Sequence, residues 1–274
     1  MTEDDIAALW SIAHEFADAA RAELASRWTV WALDLSKTEV HEVVGALLAR
    51  QVTLARTIIS NPGTWTAHAA PVLLRAMADV RISLEWILAE PQQRAQRFID
   101  YGLGQMKLEM EHRKALIDQQ SPDPDEQRYI QYQEAWIDEQ RFHFLTSVDL
   151  GSWSGVTTRT MAEEAGCLDF YNWVYTPFSA ATHSGWHHVG RLNVRTCTNP
   201  LHRYHRVPFD DELPLDYSFP DLAAKYLRQT FAGFDAAMKV SVEVPSAAQI
   251  YYDAMMKQFG DADIPAGAAD SPEE

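Results

Sequence analysis

PVLLRAMADVRISLEWIL, residues 71 to 88, decides the fold class. Its apolar residues Val72, Leu73, Met77, Val80, Leu84, Ile87 and Leu88 recur at the three- and four-residue intervals of a helix face. The same segment sets Arg75 four residues before Asp79 and Arg81 four before Glu85. On an exposed face such ion pairs stabilise a helix by about 0.2–0.5 kcal/mol each, and Arg81 with Glu85 reads that way. Arg75 and Asp79 lie nearer Val72 and Met77, so partial burial is expected there. A buried ion pair gains little against its own desolvation, which makes this pair a better site candidate than a helix staple.

Working outward, the helix over 67–89 has long helical neighbours on both sides. Residues 3–34 form a helix that starts on acids, and Ser36-Lys37-Thr38-Glu39 reads as a capping box for a second helix to about Ser60. Pro91 suits the first position of a fourth helix to about Gln119. SPDPDE at 121–126 breaks the chain before a polar fifth helix to about Ser147. A short helix over 157–165 ends at Gly166, and a helix over 169–193 carries Pro177 as a kink or first residue. Residues 194–217 read as a long irregular connection before helices at 218–240 and 246–259. No strand pattern is convincing. The expected fold is all-α: a multi-helix bundle of long antiparallel helices, one domain over 1–259 with its core at about 38–240. The tail 260–274 is small and acidic, hence expected to be disordered.

The chain of 274 residues is 47% hydrophobic and carries a formal charge of −16, which argues against general nucleic-acid binding. No run of 18 uninterrupted apolar residues occurs and the N-terminus is acidic, so a cytoplasmic protein without a membrane segment is expected. Cys167 and Cys197 are too few for a disulfide scaffold. The charge is uneven, however. Between Asp169 and Asp210 there is no Asp or Glu, while Arg191, Arg195, Arg203 and Arg206 and five of the ten histidines fall in that window. Part of it could be a buried stretch that never needed acids, but burial disfavours Arg as much as Asp.

Inside the window, TPFSAATHSGWHHVGRLNVR (176–195) places Ser179, His183, His187, Arg191 and Arg195 four residues apart. His183 and His187 have the spacing of a two-imidazole metal site, with Cys197, His202 and His205 as further donors. Cys-x4-His-x2-His is none of the usual zinc spacings, though, and no CxxC is present. Glu109-Met110-Glu111-His112 holds one Glu-x-x-His where a di-iron bundle needs two. HEVVGA at 41–46 departs from HExxH at Gly45, and GxGxxG, P-loop and GxSxG patterns are absent. No metal and no cofactor is therefore assigned. If a helix begins at Pro177, its N-terminal dipole faces an anion near Ser179 and His183. Histidine suits proton transfer at neutral pH, and Arg191, Arg195 and His187 suit anion binding. The plainer alternative is a structural His183 with solvated arginines.

Four stretches carry a resemblance: HEVVGALLARQVTLARTII, PVLLRAMADVRISLEWIL, RFIDYGLGQMKLEMEHRK and MAEEAGCLDFYNWVYTPFSAATHSGWHHVG. They resemble a widespread bacterial family of unknown function over most of residues 38–240, most specifically at Tyr175…Ser179-x3-His183. Through it the chain resembles the HEPN superfamily of helical domains, many of them metal-independent ribonucleases in toxin–antitoxin and phage-defence systems. The resemblance implies an HEPN-like core with extra N- and C-terminal helices, and self-association as a homodimer or higher oligomer. It puts His183 in the histidine position of an Arg-x4-His motif, but Phe178 stands where the arginine belongs. Two functions follow as expectations. One is RNA cleavage, with His183 moving protons, Arg75 or Arg191 stabilising the phosphate, and Ser179 and Tyr175 orienting the groups beside Asp79. The other is a non-catalytic module that binds a partner protein or a small anion or nucleotide. A metal-dependent hydrolase using His183, His187 and Asp79 or Glu85 is a weaker third.

Overall fold

A computed structural model describes residues 2–119, 124–139, 152–210 and 212–260. The fold is all-α, with one two-stranded sheet among the described residues. Helix α1 (Glu3–Val30) opens on a reciprocal capping box: Thr2 Oγ1 accepts from the Asp5 N–H at 3.1 Å, and the Asp5 carboxylate accepts from the Thr2 N–H at 2.7 Å. Helix α2 (Thr38–Ile59) starts later than the Ser36 box predicts. The Ser36 hydroxyl donates to Asp34 Oδ1 at 2.6 Å in a tight turn, so Ser36 is not the cap. Helices α3 (Ala70–Ala89) and α4 (Pro91–Gln119) fall where the periodicity and Pro91 place them. Helix α5 (Pro124–Glu139) is largely exposed and buries Ile130 and Ile137; its expected continuation to 147 and the tail from 261 lie outside the described residues.

Helix α6 (Thr158–Glu164) is capped by the Thr157 hydroxyl and stops at Gly166, whose φ of 71° is the left-handed turn that glycine adopts without steric cost. The helix expected over 169–193 is in pieces: α7 (Leu168–Phe170), a π-helical turn (Tyr171–Tyr175), α8 (Thr176–Thr182) and α9 (Trp186–Leu192). Pro177 has no N–H to give back to residue 173, and its ring crowds that carbonyl, so the turn before it widens. Ser184, at φ 49°, ends α8 and lets α9 restart. The expected irregular connection contains a hairpin, with β1 (Val194–Thr196) antiparallel to β2 (Arg206–Pro208) in the register Arg195 opposite Val207. Helices α10 (Ser218–Met238) and α11 (Ala247–Phe259) complete the chain's described residues.

Packing divides the chain into two compact units, with the divisions falling between α1 and α2 and inside α2, α3 and the π turn. The first gathers the described residues of 2–32, 48–81 and 172–260. Its core holds Phe16, Leu48, Ile58, Trp65, Leu74, Met77, Phe231 and Phe234, and the Trp65 indole N–H donates to the Ile58 carbonyl at 2.7 Å. Some buried polar groups there are partnered across elements: the Gln51 amide N–H donates to Thr230 Oγ1 at 2.9 Å. Arg27 lies over the Phe231 ring and pairs with Glu23 and Asp235, and Glu23 also accepts the Ala247 N–H at 2.9 Å, which starts α11.

The second unit gathers the described residues of 33–47 and 82–171. Trp153 meets Trp86 and Phe98 edge-on, and the Trp86 indole donates to Glu164 at 2.6 Å while Arg94 stacks on its ring. A separate apolar cluster joins Met110 of α4 to Ile130 and Ile137 of α5. Among the described residues no helix is long and apolar enough to cross a membrane.

Candidate functional site

The first unit contains the side chains that the sequence singled out, and it brings five of them together. Arg75, on the inner face of α3, is 7% exposed. Its Nε donates to Ser179 Oγ at 2.8 Å, its Nη1 pairs with Asp79 one turn along, and its guanidinium carbon lies 3.2 Å from the centroid of the Tyr175 ring. Ser179 passes the chain on, donating to the Tyr175 carbonyl at 2.9 Å. An arginine this buried is tolerated because its Nε, its Nη1 and one face each have a partner: a hydroxyl, a carboxylate and an aromatic ring.

Asp79 has half of its side chain open. Loss of solvent nonetheless raises its carboxyl pKa above the ordinary aspartate value, and the charges of Arg75 and of His183 offset that only in part. His183 is therefore near enough to Asp79 for their charges to interact, and its ring is exposed. The result is a layered cluster with a buried cation beneath, a carboxylate at the boundary and an imidazole at the surface. It can hold an anion-bearing group against His183 and move a proton there; it has no cysteine or serine nucleophile paired to a base.

The expected i, i+4 stripe does not persist along one helix. His183 is the C-cap residue of α8, with its N–H on the Ser179 carbonyl at 3.0 Å, so it sits at the carbonyl end and not at the anion-attracting amide end. The break at Ser184 turns His187 onto α9, where its ring lies against Gly185. Arg191 is exposed in the last turn of α9, and Arg195 is exposed on β1 beside the Phe209 ring. The anion-binding expectation for these three thus rests on residues that lie beyond the helix break at Ser184.

Two contacts of the first unit escape the sequence reading, and a third grouping is convergent where the sequence only named its donors. His188 packs edge-on against His68 at 5.6 Å, and desolvation, with His68 and His187 adding to it, lowers the His188 pKa. Arg206 donates to the Gly190 carbonyl at 3.0 Å, tying β2 to α9. At the hairpin tip the donor atoms of Cys197, His202 and His205 lie within 4.8 Å of one another. The sequence names Cys197, His202 and His205 as donors but not their convergence, and nothing marks the other two contacts, because side chains that meet across a hairpin or between remote segments leave no fixed spacing.

Residues 41–199, more than half of the chain, match a family of unknown function, DUF5677, and the chain belongs to that family. No curated protein and no solved structure matches the chain.

Proposed function

We propose that this member of the DUF5677 family cleaves RNA without a metal at the cluster of Arg75, Asp79, Tyr175, Ser179 and His183. The observation that carries the reading is the hydrogen bond from Arg75 Nε to Ser179 Oγ, across 104 residues of sequence. It delivers a guanidinium to Ser179, the residue that follows Phe178 in sequence, and Phe178 stands where the HEPN ribonuclease motif has its arginine. In the reaction the RNA 2′-oxygen bonds to the adjacent phosphorus, the bond to the 5′-oxygen breaks, and the products carry a 2′,3′-cyclic phosphate and a 5′-hydroxyl. His183, exposed at the surface, exchanges protons with these oxygens; Asp79 orients the imidazole; Arg75 stabilises the charge that develops on phosphate. Ser179 and Tyr175 fix the guanidinium plane. A role in phage defence or a toxin–antitoxin pair follows from the HEPN resemblance, as does a homodimer, for which light scattering would give twice the chain mass.

The test uses purified full-length protein with labelled RNA in excess EDTA. Cleavage should persist, and His183→Ala should lower it by about 10²–10⁴-fold, the usual share of a general acid or base. RNA left intact by the wild type, or cut equally by the variant, would sink the reading. One observation favours a second reading, a non-catalytic module for a nucleotide or other small anion: the guanidinium of Arg75 is already engaged by Asp79, Ser179 and Tyr175. In that case nucleotides raise the melting temperature and are recovered unchanged.

A further inference from the structure

We propose that the tip of the β1–β2 hairpin is a zinc site, in which Cys197 Sγ, His202 and His205 hold one Zn²⁺ ion and solvent takes the fourth position. The inference is independent of the RNA reading, since none of these residues belongs to the Arg75 cluster. It begins with the ladder. Thr196 pairs with Arg206, and the Cys197 N–H donates to the His205 carbonyl at 3.0 Å, so Cys197 and His205 are the next cross-strand neighbours. Such neighbours hold their Cβ atoms about 4.5–5.5 Å apart. The turn then folds His202 back over them: its N–H donates to the Asn199 carbonyl and its own carbonyl accepts the His205 N–H, both at 3.0 Å.

The three donor atoms lie within 4.8 Å of one another, and Cys197 Sγ is 3.7 Å from His202 Nδ1. A tetrahedral zinc with S at about 2.3 Å and N at about 2.0–2.1 Å sets sulfur and nitrogen about 3.6 Å apart and two nitrogens about 3.3 Å apart. One edge of the tetrahedron is thus already at its final length. The remaining edges close with side-chain shifts of about 1 Å or a little more. The spacing Cys-x4-His-x2-His differs from the paired-knuckle zinc patterns because here the donors come from two strand ends and the turn between them.

The chemistry selects the ion. One thiolate and two imidazoles suit zinc and other borderline or soft cations, whereas Mg²⁺ and Ca²⁺ need oxygen ligands. With no Asp or Glu between Asp169 and Asp210, the sequence around the tip offers no carboxylate for a hard cation. The Asn199 amide, 3.3 Å from His202 Nε2, orients that ring. The tip has no apolar core of its own: Leu201 is 88% and Tyr204 89% exposed, and Tyr204 is held at a φ of 68°. A bound ion supplies the cross-link that burial does not.

The experiment takes the full chain, stripped by chelator and dialysed, and titrates Zn²⁺ against a chromophoric competitor. One equivalent should bind with a submicromolar Kd, and Cys197→Ser and His202→Ala should each weaken it at least tenfold. Co²⁺ at the same site should show a thiolate-to-cobalt charge-transfer band and the intense visible bands of a four-coordinate ion. His68→Ala and His187→Ala serve as controls and should leave the affinity unchanged, and melting curves establish that each variant stays folded. No stoichiometric uptake, a cobalt spectrum without the thiolate band, or an affinity that follows His187 and not Cys197 would each overturn the assignment.

Discussion

Arg75 has three kinds of partner at once, and that fixes what a substitution there does. Lysine carries the charge but not the planar fork that reaches Ser179 and Asp79 together, and it stacks less well on Tyr175. Arg75→Lys should therefore lower the unfolding free energy by about 1.5–3 kcal/mol, the range for a hydrogen bond to a charged group, as read from urea denaturation midpoints. A loss near zero would show that the cluster is not rigid. A second prediction belongs to His188. Its pKa is lowered from 6.5, first by desolvation and then by His68 and His187, so the folded state prefers the neutral ring. Its contribution is complete above about pH 6.5 and is lost as the pH falls through the lowered value, because the unfolded chain then binds more protons. His188→Gln should flatten the acid side of the melting temperature plotted against pH; an unchanged slope would assign it elsewhere. At this scale the Arg75–Asp79 pair was legible from its spacing beside apolar residues. Ser179 as its partner was not, since nothing in either segment marks the other.

At the scale of elements, the long amphipathic helices α1 to α4 follow from apolar periodicity and from Pro91, whose fixed φ and missing N–H suit a first helical turn. The segment 168–192 was less legible because competing local effects act within 25 residues. Pro177 widens the turn before it, and Ser184 adopts a left-handed conformation that no side-chain pattern announces. That strain carries the third prediction. A residue with a Cβ pays about 1–2 kcal/mol in the left-handed region, and glycine forgoes about 0.5–1 kcal/mol in chain entropy. Ser184→Gly should thus stabilise the protein by about 0.5–1 kcal/mol in urea titrations. Destabilisation instead would mean that the Ser184 side chain contributes more than its backbone costs. The hairpin was illegible for a different reason: two strands of three residues show no alternation long enough to count.

For the molecule as a whole, the first unit is assembled from three separated lengths of chain, and its closure depends on the pair α1 and α11. Phe16 and Tyr251 meet edge-on at 6.0 Å, and buried Glu23 joins the amide that begins α11 to Arg27, which also pairs with Asp235. Glu23→Ala removes a carboxylate from a buried network and strips a helix amide of its acceptor, so it should cost about 3–5 kcal/mol. Glu23→Gln, which keeps an acceptor oxygen, should cost less; equal losses in thermal and urea unfolding would remove the capping role. The pairing of the first helix with the last described one also sets a schedule for synthesis. A ribosome releases α1 more than 200 residues before α11. Until then Phe16 has no Tyr251 to pack against, so the nascent chain presents this apolar side chain to chaperones throughout that stretch of synthesis.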